Sequence, residues 1–399
     1  MSDRWESVTF GQIARRRTET WNPGDPEAIY IGLEHISPYE LRLLGAGVST
    51  AVSSNKTRFL ADDVLFGKLR PYFQKVVRPS FPGVCSTDIW ALCPADDSKI
   101  DPGFLHWVVA DPAFSDFANS AETGTRMPRA SWQWVSTYVL ALPPLEEQRR
   151  IAEVLGALDD AIEVNRGLIE SLEASIQLEA AAVLQGAGEE TQLLTEVAMI
   201  VNGYSYKSSE LVEDSGTAMV NLKNFGRHGG FRLDGLKPFD GSPKPAQMLV
   251  SGDAMVAKTD LTQGAEVVGR CLRMPALPQF ESYVASLDIA IVRSKGQLPQ
   301  LALCALLAQA EFRDHCLGFV NGTTVLHMAK AALETYTLPV LDGSQVAELT
   351  TRVAALAAHQ DRTLIELYHL QQMRDFLLPR LISGELRVAA AEELVEAAT

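Results

Sequence analysis

The stretch "LPPLEEQRRIAEVLGALDDAIEVNRGLIESLEASI" (residues 142–176) decides the organisation of this chain, because it predicts one long amphipathic helix. Apolar side chains recur at alternating spacings of four and three residues, the heptad pattern of a coiled coil. The first row of this pattern is Leu155, Ile162, Ile169, Ile176 and Val183, and the second is Ile151, Leu158, Asn165, Leu172 and Glu179. The helix therefore has a narrow apolar stripe that needs a partner.

A second stretch, "LPVLDGSQVAELTTRVAALAAHQDRTLIELYHLQQM" (residues 338–373), opens with the same Leu-Pro and predicts the same kind of helix. Its two rows are Val346, Val353, Gln360, Leu367 and Arg374, and Leu349, Leu356, Thr363, Leu370 and Leu377. Pro143 and Pro144 suit the start of the first helix. Asp342 or Ser344 can cap the second helix, and Pro379 is predicted to end it.

The simplest partner for each helix is the other one, in an antiparallel pair within a single chain. Asn165 lies near the middle of the first helix, and Gln360 and Thr363 lie near the middle of the second. Antiparallel pairing would bring these polar side chains together, where hydrogen bonds across the seam can fix the register. The alternative is that both helices dimerise with a second copy of the chain.

Outside the helices, the second half of the chain echoes the first, which predicts a duplication. The matching segments, in chain order, are "YIGLEHI" (30–36) with "MVNLKNF" (219–225), "DVLFGK" (63–68) with "DAMVAK" (253–258), "STDIW" (86–90) with "SLDIA" (286–290), "TGT" (123–125) with "NGT" (321–323), and "LPPL" (142–145) with "LPVL" (338–341). Short apolar runs between turn residues predict strands. One helix per copy is expected at 102–118 and at 298–317.

The predicted fold class is α+β, with two repeated domains joined by two long antiparallel helices that form an intramolecular coiled coil. The expected boundaries are a first domain at 1–144, a central helix at 145–186, a second domain at 187–341, a distal helix at 342–386 and a C-terminal tail at 387–399.

The net charge of −15 is concentrated on the helices. Residues 141–190 carry 3 basic and 11 acidic residues, and residues 341–399 carry 5 and 9. The two domains are therefore nearly neutral and can present a basic face to phosphate. The acidic residues of the first helix could serve solubility alone, but we expect them to dock basic partner subunits. They are Glu146, Glu147, Glu153, Asp159, Asp160 and Glu163.

Several functional classes find no support in the sequence. No run of 18 uncharged apolar residues and no signal region is present, so no membrane contact and a cytoplasmic location are expected. The five cysteines form no C-x-x-C pair, which predicts free, mostly buried thiols and no metal site. The sequence contains no phosphate-binding loop, nucleophile elbow, H-E-x-x-H or Asn/Asp-Pro-Pro-Tyr/Phe motif. We therefore expect no catalytic residue in this chain.

Several segments closely resemble the specificity (S) subunits of type I restriction–modification systems. The first target-recognition domain and central helix of that family are similar to "YIGLEHI", "DVLFGKLRPYFQKV", "CSTDIWAL" and "GTRMPRASWQWV…LPPLEEQRRIAEVLGALDDAIEVN". The second recognition domain and distal helix are similar to "NGYSYKSSE", "GDAMVAKTDLTQGAEVVGR" and "FLLPRLISGELRV". The second half departs from the commoner "FGKLRPY" form, which predicts a different half-site.

The resemblance implies a non-catalytic subunit that selects a bipartite sequence in double-stranded DNA. Two methyltransferase (M) subunits would dock on the helices and restriction (R) subunits would join them. S-adenosylmethionine, ATP and Mg are expected on those partners, with no cofactor bound by this chain. Two alternatives stay open: a self-contained DNA methyltransferase or nuclease with diverged motifs, and a coiled-coil scaffold that binds proteins.

Candidate DNA contacts are cationic and hydroxyl side chains on turns that follow strands, where they can reach phosphates and base edges. In the first domain they are Lys68, Arg70, Tyr72, Thr125, Arg126 and Arg129. In the second domain they are Lys223, Asn224, Lys258, Thr259, Asn321, Thr323 and Thr324. The alternative for each is an ordinary surface residue. Glu34 and His35 are further candidates for base reading, and the cluster Arg15, Arg16 and Arg17 suits phosphate or a solvated helix face.

Overall fold

A computed structural model describes residues 5–120, 127–227 and 229–398, and its contacts divide the chain into two compact units. Unit 1 comprises residues 1–162 with 370–399, and unit 2 comprises residues 163–369. The strands of the first half are β1 (Glu6–Thr9), β2 (Ala14–Arg16), β3 (Thr20–Trp21), β4 (Ile29–Ile31), β5 (Gly47–Val48), β6 (Lys56–Phe59), β7 (Val64–Gly67), β8 (Val76–Val77), β9 (Gly83–Cys85), β10 (Ile89–Pro94) and β11 (Val139–Leu142). Its helices are α1 (Phe10–Ile13), α2 (Pro102–Ala110), α3 (Pro112–Ser120), α4 (Trp132–Val135) and α5 (Leu145–Gln185).

The second half continues in the same order. Its strands are β12 (Thr191–Leu193), β13 (Ala198–Asn202), β14 (Thr217–Val220), β15 (Lys237–Pro238), β16 (Met248–Leu249), β17 (Ala254–Ala257), β18 (Thr259–Asp260), β19 (Cys271–Arg273), β20 (Ser282–Ala285), β21 (Ile289–Ser294), β22 (Val320–Asn321), β23 (Leu326–Met328) and β24 (Thr337–Pro339). Its helices are α6 (Leu194–Val197), α7 (Gln300–Leu307), α8 (Ala310–Leu317), α9 (Ala331–Thr335), α10 (Gly343–Ser383) and α11 (Val388–Ala398).

Unit 1 contains two main sheets, ordered β2-β10-β7-β8 and β3-β6-β9-β4-β5, and a short pair of β1 with β11. All pairings are antiparallel except β4 with β9, which is parallel. The strands β7 and β10 are apolar on both faces because one face packs on the other sheet and the other on the helices. Phe10, Phe66 and Phe114 meet in the core, with ring centroids 4.7 and 5.4 Å apart.

Unit 2 repeats this arrangement. Its main sheets are ordered β13-β21-β17-β19 and β15-β14-β20-β16, and β12 pairs with β24. The parallel pairing recurs as well, between β14 and β20. Unit 2 also contains a three-stranded ribbon ordered β18-β23-β22, and an antiparallel bridge of Leu69 with Arg129 stands at the matching place in unit 1. The predicted duplication and the α+β class are confirmed.

The two long helices pair antiparallel in each unit. In unit 1, Asp159 of α5 accepts from Arg374 of α10 at 2.8 Å. In unit 2, Asn165 contacts Glu366 at 3.4 Å and Glu179 contacts Arg352 at 2.9 Å. Partner numbers rise on one helix as they fall on the other, as an antiparallel pair requires. The predicted intramolecular pair is confirmed.

Burial follows the predicted heptad rows. Ile151, Leu155, Leu158 and Ile162 are buried in unit 1, as are Leu370, Arg374 and Leu377. In unit 2 the buried members include Asn165, Leu172, Leu349, Val353, Thr363 and Leu367. Asp342 caps α10 as predicted, since its Oδ1 accepts the backbone N–H groups of Ser344 and Gln345 at 2.8 and 2.9 Å.

Two local predictions are wrong. Pro379 does not end the second helix, which continues to Ser383 and stops where Gly384 adopts a φ of +77°. A proline so close to a helix end removes only one backbone donor, and the buried Leu381 and Ile382 favour the extra turn.

The helix predicted at 102–118 is two helices, because Pro112 forces the preceding Asp111 into an extended conformation with ψ of 127°. The helix predicted at 298–317 breaks at the matching place, where Gln309 is extended with ψ of 154°.

All five cysteines are free and buried, as their spacing predicts. Within the described residues, no helix is both long and apolar enough to cross a membrane.

Candidate nucleic-acid interface

In unit 1 the turn after β7 lies beside the loop before α4. The backbone N–H of Lys68 donates to the carbonyl of Asp88 at 2.9 Å, and the carbonyl of Lys68 accepts from Ala130 at 2.8 Å. The N–H of Arg70 donates to the carbonyl of Pro128 at 2.8 Å. The fold therefore brings Lys68, Arg70 and Arg129 to one surface, although they are distant in sequence.

Arg70 holds an uncommon conformation on this surface. Its φ of 52° and ψ of 63° are left-handed, and Gln74 at the other end of the short turn Pro71–Phe73 is left-handed too. A non-glycine residue in this region is strained by about 1–3 kcal/mol, and such strain clusters at functional sites. Among the described residues, the buried Nε of Arg70 has no hydrogen-bond partner. Tyr72 follows on the turn with 37% of its surface exposed.

Arg129 donates its Nε to the carboxylate of Asp88 at 3.2 Å while about half of its side chain stays exposed. Asp88 thus orients Arg129 with its side chain and holds Lys68 with its backbone. Thr125 and Arg126 lie outside the described residues.

Unit 2 builds the equivalent surface with the same acidic residue. The carbonyl of Asp288, 200 positions after Asp88, accepts from the N–H of Lys258 at 2.7 Å. The Asp288 carboxylate accepts from the hydroxyl of Thr259 at 2.8 Å. Thr259 is only 8% exposed and its hydroxyl is used by Asp288, so the predicted DNA contact by Thr259 is wrong.

The ammonium of Lys258 donates to Asn202 Oδ1 at 2.8 Å. Burial lowers the pKa of Lys258, and the nearby Asp288 opposes that shift. A lysine that is partly withdrawn from water and already hydrogen-bonded has less freedom to follow a phosphate than an exposed one.

The ribbon carries the remaining candidates of the second repeat. Strand β23 pairs with β18 on one side and with β22 on the other, so Thr259 and Asn321 lie on opposite sides of His327. Asn321, Thr323 and Thr324 are exposed. The carbonyl of Thr323 accepts from Gln263 at 3.4 Å, which ties this loop to the turn after β18.

The pair Lys223 and Asn224 is divided by the structure. Lys223 is exposed on a short turn after β14, whereas Asn224 is fully buried. The amide of Asn224 accepts from the N–H of Asn221 at 2.8 Å and donates to the carbonyl of Arg232 at 2.7 Å. Base reading by Asn224 is therefore contradicted, because its polar atoms are used inside the fold.

His35, the matching residue of the first repeat, has the same task. Its Nδ1 accepts from the N–H of Gly32 at 2.9 Å and so closes the equivalent turn. The neighbouring Glu34 is exposed.

The basic cluster at residues 15–17 is split as well. Arg17 pairs with the buried carboxylate of Asp63 through Nε and Nη2 at 3.0 and 2.9 Å. Arg16 lies over the rings of Trp132 and Trp90 at 5.0 and 5.7 Å. Arg15 is exposed and free to meet a phosphate.

The polar seam residues have different partners from those expected. Asn165 reaches across to Glu366, but Gln360 accepts from Arg273 at 3.3 Å and Thr363 donates to His359 of its own helix at 3.1 Å. Of these three side chains, Asn165 contacts the other long helix, where it adds to the ion pairs of Asp159 with Arg374 and of Glu179 with Arg352.

Sequence reasoning missed the two aspartates that organise the surfaces. Asp88 and Asp288 occupy the same place in the matching segments "STDIW" and "SLDIA", so their repetition was the available signal. Within the described residues, no three His, Cys, Asp or Glu side chains gather as metal ligands would.

Residues 5–174 match the family model described as the type I restriction modification DNA specificity domain. A curated relative, the specificity subunit of type I restriction enzyme EcoDI from Escherichia coli, is 32% identical over 175 residues. That match covers 42% of this chain and 38% of the relative, so it spans less than half of the relative's length.

Two solved structures align over almost the whole chain. The S subunit of a type I restriction-modification system from M. genitalium shares the fold, with a TM-score of 0.58 and 13% identity over 96% of this chain and 97% of that one. The HsdS subunit from Thermoanaerobacter tengcongensis aligns over 97% and 98%, with a TM-score of 0.40 and 19% identity.

Proposed function

We propose that this chain, whose residues 5–174 match the type I restriction modification DNA specificity domain, is the sequence-reading subunit of such a system. Each repeat would read one half of a bipartite site in double-stranded DNA. The observation that carries the proposal is that an equivalent aspartate, Asp88 or Asp288, holds the turn that carries a lysine in each repeat, Lys68 or Lys258, and hydrogen-bonds a further polar side chain, Arg129 or Thr259.

The first repeat offers the stronger charge. Lys68, Arg70 and Arg129 can contact phosphates, and a guanidinium held by Asp88 can address the O6 and N7 atoms of guanine as a pair. The second repeat offers Lys258, Asn321 and the exposed Thr323 and Thr324. An asparagine amide suits adenine. The two half-sites are therefore expected to differ.

Two readers are needed because one half-site of three or four base pairs recurs too often among about 10⁶ or more competing sites. A good bidentate base contact contributes only about 1–3 kcal/mol of discrimination. Joining two modest readers through a coiled coil multiplies their selectivities, and the coiled coil would set the unread gap.

The paired helices would also dock two methyltransferase subunits, and restriction subunits would complete the complex. The acidic side chains of α5 supply a surface for basic partners. S-adenosylmethionine, ATP and Mg would be bound by those partners, and this chain would contribute DNA recognition without catalysis.

Genome-wide mapping of N6-methyladenine in cells with and without this chain tests the proposal. We expect one bipartite motif to lose its methylation when the chain is absent, and to regain it when the chain is restored. Restoration with the Lys68→Ala, Arg70→Ala double variant should leave the motif poorly methylated.

Two results would contradict the proposal. Methyl transfer by the purified chain with S-adenosylmethionine and mixed DNA would favour a self-contained methyltransferase. An unchanged DNA affinity of the double variant's complex would favour a protein-binding scaffold.

A further inference from the structure

Arg129 of the first repeat has a structural counterpart in the second, His327. In each repeat, the residue that follows it donates its backbone N–H to the carbonyl of the interface lysine at 2.8 Å. This hydrogen bond joins Ala130 to Lys68 in unit 1 and Met328 to Lys258 in unit 2. The antiparallel neighbours correspond as well, since Leu69 bridges Arg129 and Thr259 pairs with His327. His327 therefore occupies in the second repeat the place of Arg129 in the first.

The side chain of His327 is exposed on the middle strand of the ribbon. Residues directly opposite each other in an antiparallel pair point to the same side of the sheet, so His327 shares its side with Thr259 and Asn321. Asn321 is exposed as well. The next residue of the strand, Met328, is buried in the core of unit 2, which turns the opposite side of the strand inward.

The ring of His327 is less engaged within the protein than the guanidinium of Arg129. In unit 1, Arg129 Nε donates to the carboxylate of Asp88 at 3.2 Å. In unit 2, the carboxylate of Asp288 accepts instead from the hydroxyl of Thr259 at 2.8 Å. Within residues 5–120, 127–227 and 229–398, neither ring nitrogen of His327 makes a hydrogen bond. Both nitrogens are therefore available to a ligand.

The loop between β22 and β23 fixes the strand that carries this ring. Gly322 has a φ of +122°, and a Cβ at this position would lie 2.1 Å from the carbonyl oxygen of Val325. Only glycine fits so close an approach of the backbone. Base reading requires a side chain at a defined place, and β-ribbons that read DNA lie in a groove of the duplex.

An imidazole suits one atom of a purine. In the major groove, adenine and guanine both present N7 as an acceptor, and no atom of a pyrimidine accepts at that place. The two nitrogens of a histidine ring point away from each other, so only one of them can address the edge of a base. A guanidinium reaches N7 and O6 of guanine together. Histidine thus separates purines from pyrimidines, whereas arginine selects guanine.

We propose that His327 reads the N7 atom of one purine in the half-site of the second repeat. The ribbon would lie in the major groove, with Asn321 available to an adjacent base from the neighbouring strand. The inference rests on the proposed function, because it requires that the second repeat contacts bases. It adds a specificity-determining residue and the class of base at one position.

Genome-wide maps of N6-methyladenine, in cells where a variant replaces the wild-type chain, test this assignment. A genome contains every single-base variant of the motif. At one position, the wild type should methylate sites with either purine about tenfold more often than sites with a pyrimidine. His327→Ala should methylate sites with all four bases there and keep its preference at every other position. His327→Arg should narrow that position to guanine.

His359→Ala, at an exposed histidine of α10, is the matched control and should leave every base preference unchanged. Arg129→Ala is a second comparison and should relax a position in the opposite half of the motif.

The possible failures are distinguishable. If the wild type methylates no bipartite motif, the proposed function itself is wrong. If the motif is bipartite but His327→Ala keeps the wild-type preference at every position, this inference alone is overturned. A uniform loss of methylation at all sites would also overturn it, because that result indicates a phosphate contact. If His327→Ala does not fold, His327→Arg decides, since a position that does not narrow to guanine contradicts direct reading.

Discussion

The two repeats share a buried aspartate at the same position but give it different partners. Asp63 and Asp253, 190 residues apart, each accept a backbone N–H from three residues earlier, Leu60 at 2.7 Å and Val250 at 2.9 Å. Arg17, just after β2, neutralises Asp63, whereas Arg293, on β21, neutralises Asp253. In both repeats the carboxylate accepts the equivalent backbone N–H group. The arginine that pairs with it, however, comes from a different strand region in each repeat.

The outer turns differ far more than this shared framework. Where the first repeat has the left-handed Arg70, the second has Asp260, which is buried. The Asp260 carboxylate accepts from the N–H groups of Thr262 and Val267 at 2.8 and 2.6 Å. These hydrogen bonds lower the pKa of Asp260 against the opposing effect of its burial. The same position of the fold thus carries a cationic side chain in the first repeat and a buried carboxylate that closes its own turn in the second.

The largest expected effect comes from lengthening the paired helices by one heptad each. Copies of residues 156–162 inserted after Ile162, and of 363–369 inserted after His369, preserve the apolar pattern and the contacts within each unit. Seven residues add about 10 Å, or roughly three base pairs. The methylated motif should keep its two half-sites and gain a gap about three base pairs longer.

Insertion into α5 alone is the matched control, and it should destabilise the pair because the seam loses its register. A motif that keeps its original gap after the double insertion would refute the spacer role.

The next largest effect tests whether the repeats are separate folding units. Asp63→Ala and Asp253→Ala each remove a buried carboxylate from a partly exposed arginine and should lower the free energy of unfolding by about 3 kcal/mol. All six tryptophans lie in unit 1. In urea titrations, Asp63→Ala should move the midpoint of the tryptophan-fluorescence transition to a lower urea concentration. Asp253→Ala should leave that midpoint unchanged and should move only the transition followed by circular dichroism, to which the helices of unit 2 contribute. Equal fluorescence shifts for both variants would show that the repeats unfold together.

A smaller effect distinguishes the two lysines of the candidate interface. Lys68→Ala should weaken DNA binding by the complex about tenfold and reduce the salt dependence by about one counterion. Lys258→Ala should weaken DNA binding by a smaller factor, because the ammonium of Lys258 already donates to Asn202. Titrations with fluorescent DNA at several salt concentrations measure both. A larger loss for Lys258→Ala would reverse the assignment of the stronger phosphate contact to the first repeat.

The smallest expected effect is on the melting temperature, and it concerns the different ways in which the two long helices begin. α5 follows two prolines, whereas α10 is capped by Asp342, whose pKa is lowered mainly by the hydroxyl of Ser344 and by the N–H of Gln345. A carboxyl with a lowered folded pKa stabilises above its unfolded pKa and loses that contribution as the pH falls through the folded value.

Asp342→Asn should therefore lower the melting temperature slightly at neutral pH, and the difference should vanish in acid. Asp160→Asn, at an exposed position within α5, is the control and should show no such pH dependence. A difference that persists below the folded pKa would mean that the charge of Asp342 is not what matters.

The periodic features of this fold were predictable from the sequence because they depend on side chains close together in the chain. The heptad rows predicted both helices and their buried faces, and the matching segments predicted the duplication. The parallel pairing of β4 with β9 was not predictable, because it joins strands far apart in sequence and leaves no local pattern.

The candidate interface was predicted less completely for the same reason. The strain at Arg70 depends on the loop at 127–130, which packs against it through Pro128. The sequence predicted Asn224 to be an exposed polar residue after a strand, but its side-chain amide hydrogen-bonds the backbone of Asn221 and Arg232 inside the fold. Whether a polar side chain reads DNA or closes a turn is decided by tertiary contacts.

The division of the chain into units has a consequence for how the protein is made. Unit 1 needs residues 370–399, since Arg374 pairs with Asp159 and Arg150 with Glu392. Unit 2 is continuous from 163 to 369. Nascent domains generally fold in the order in which they leave the ribosome. Here residues 1–162 can complete their unit only after residues 370–399 have been synthesised, so residues 163–369 can fold before the two flanking parts of unit 1 pack together.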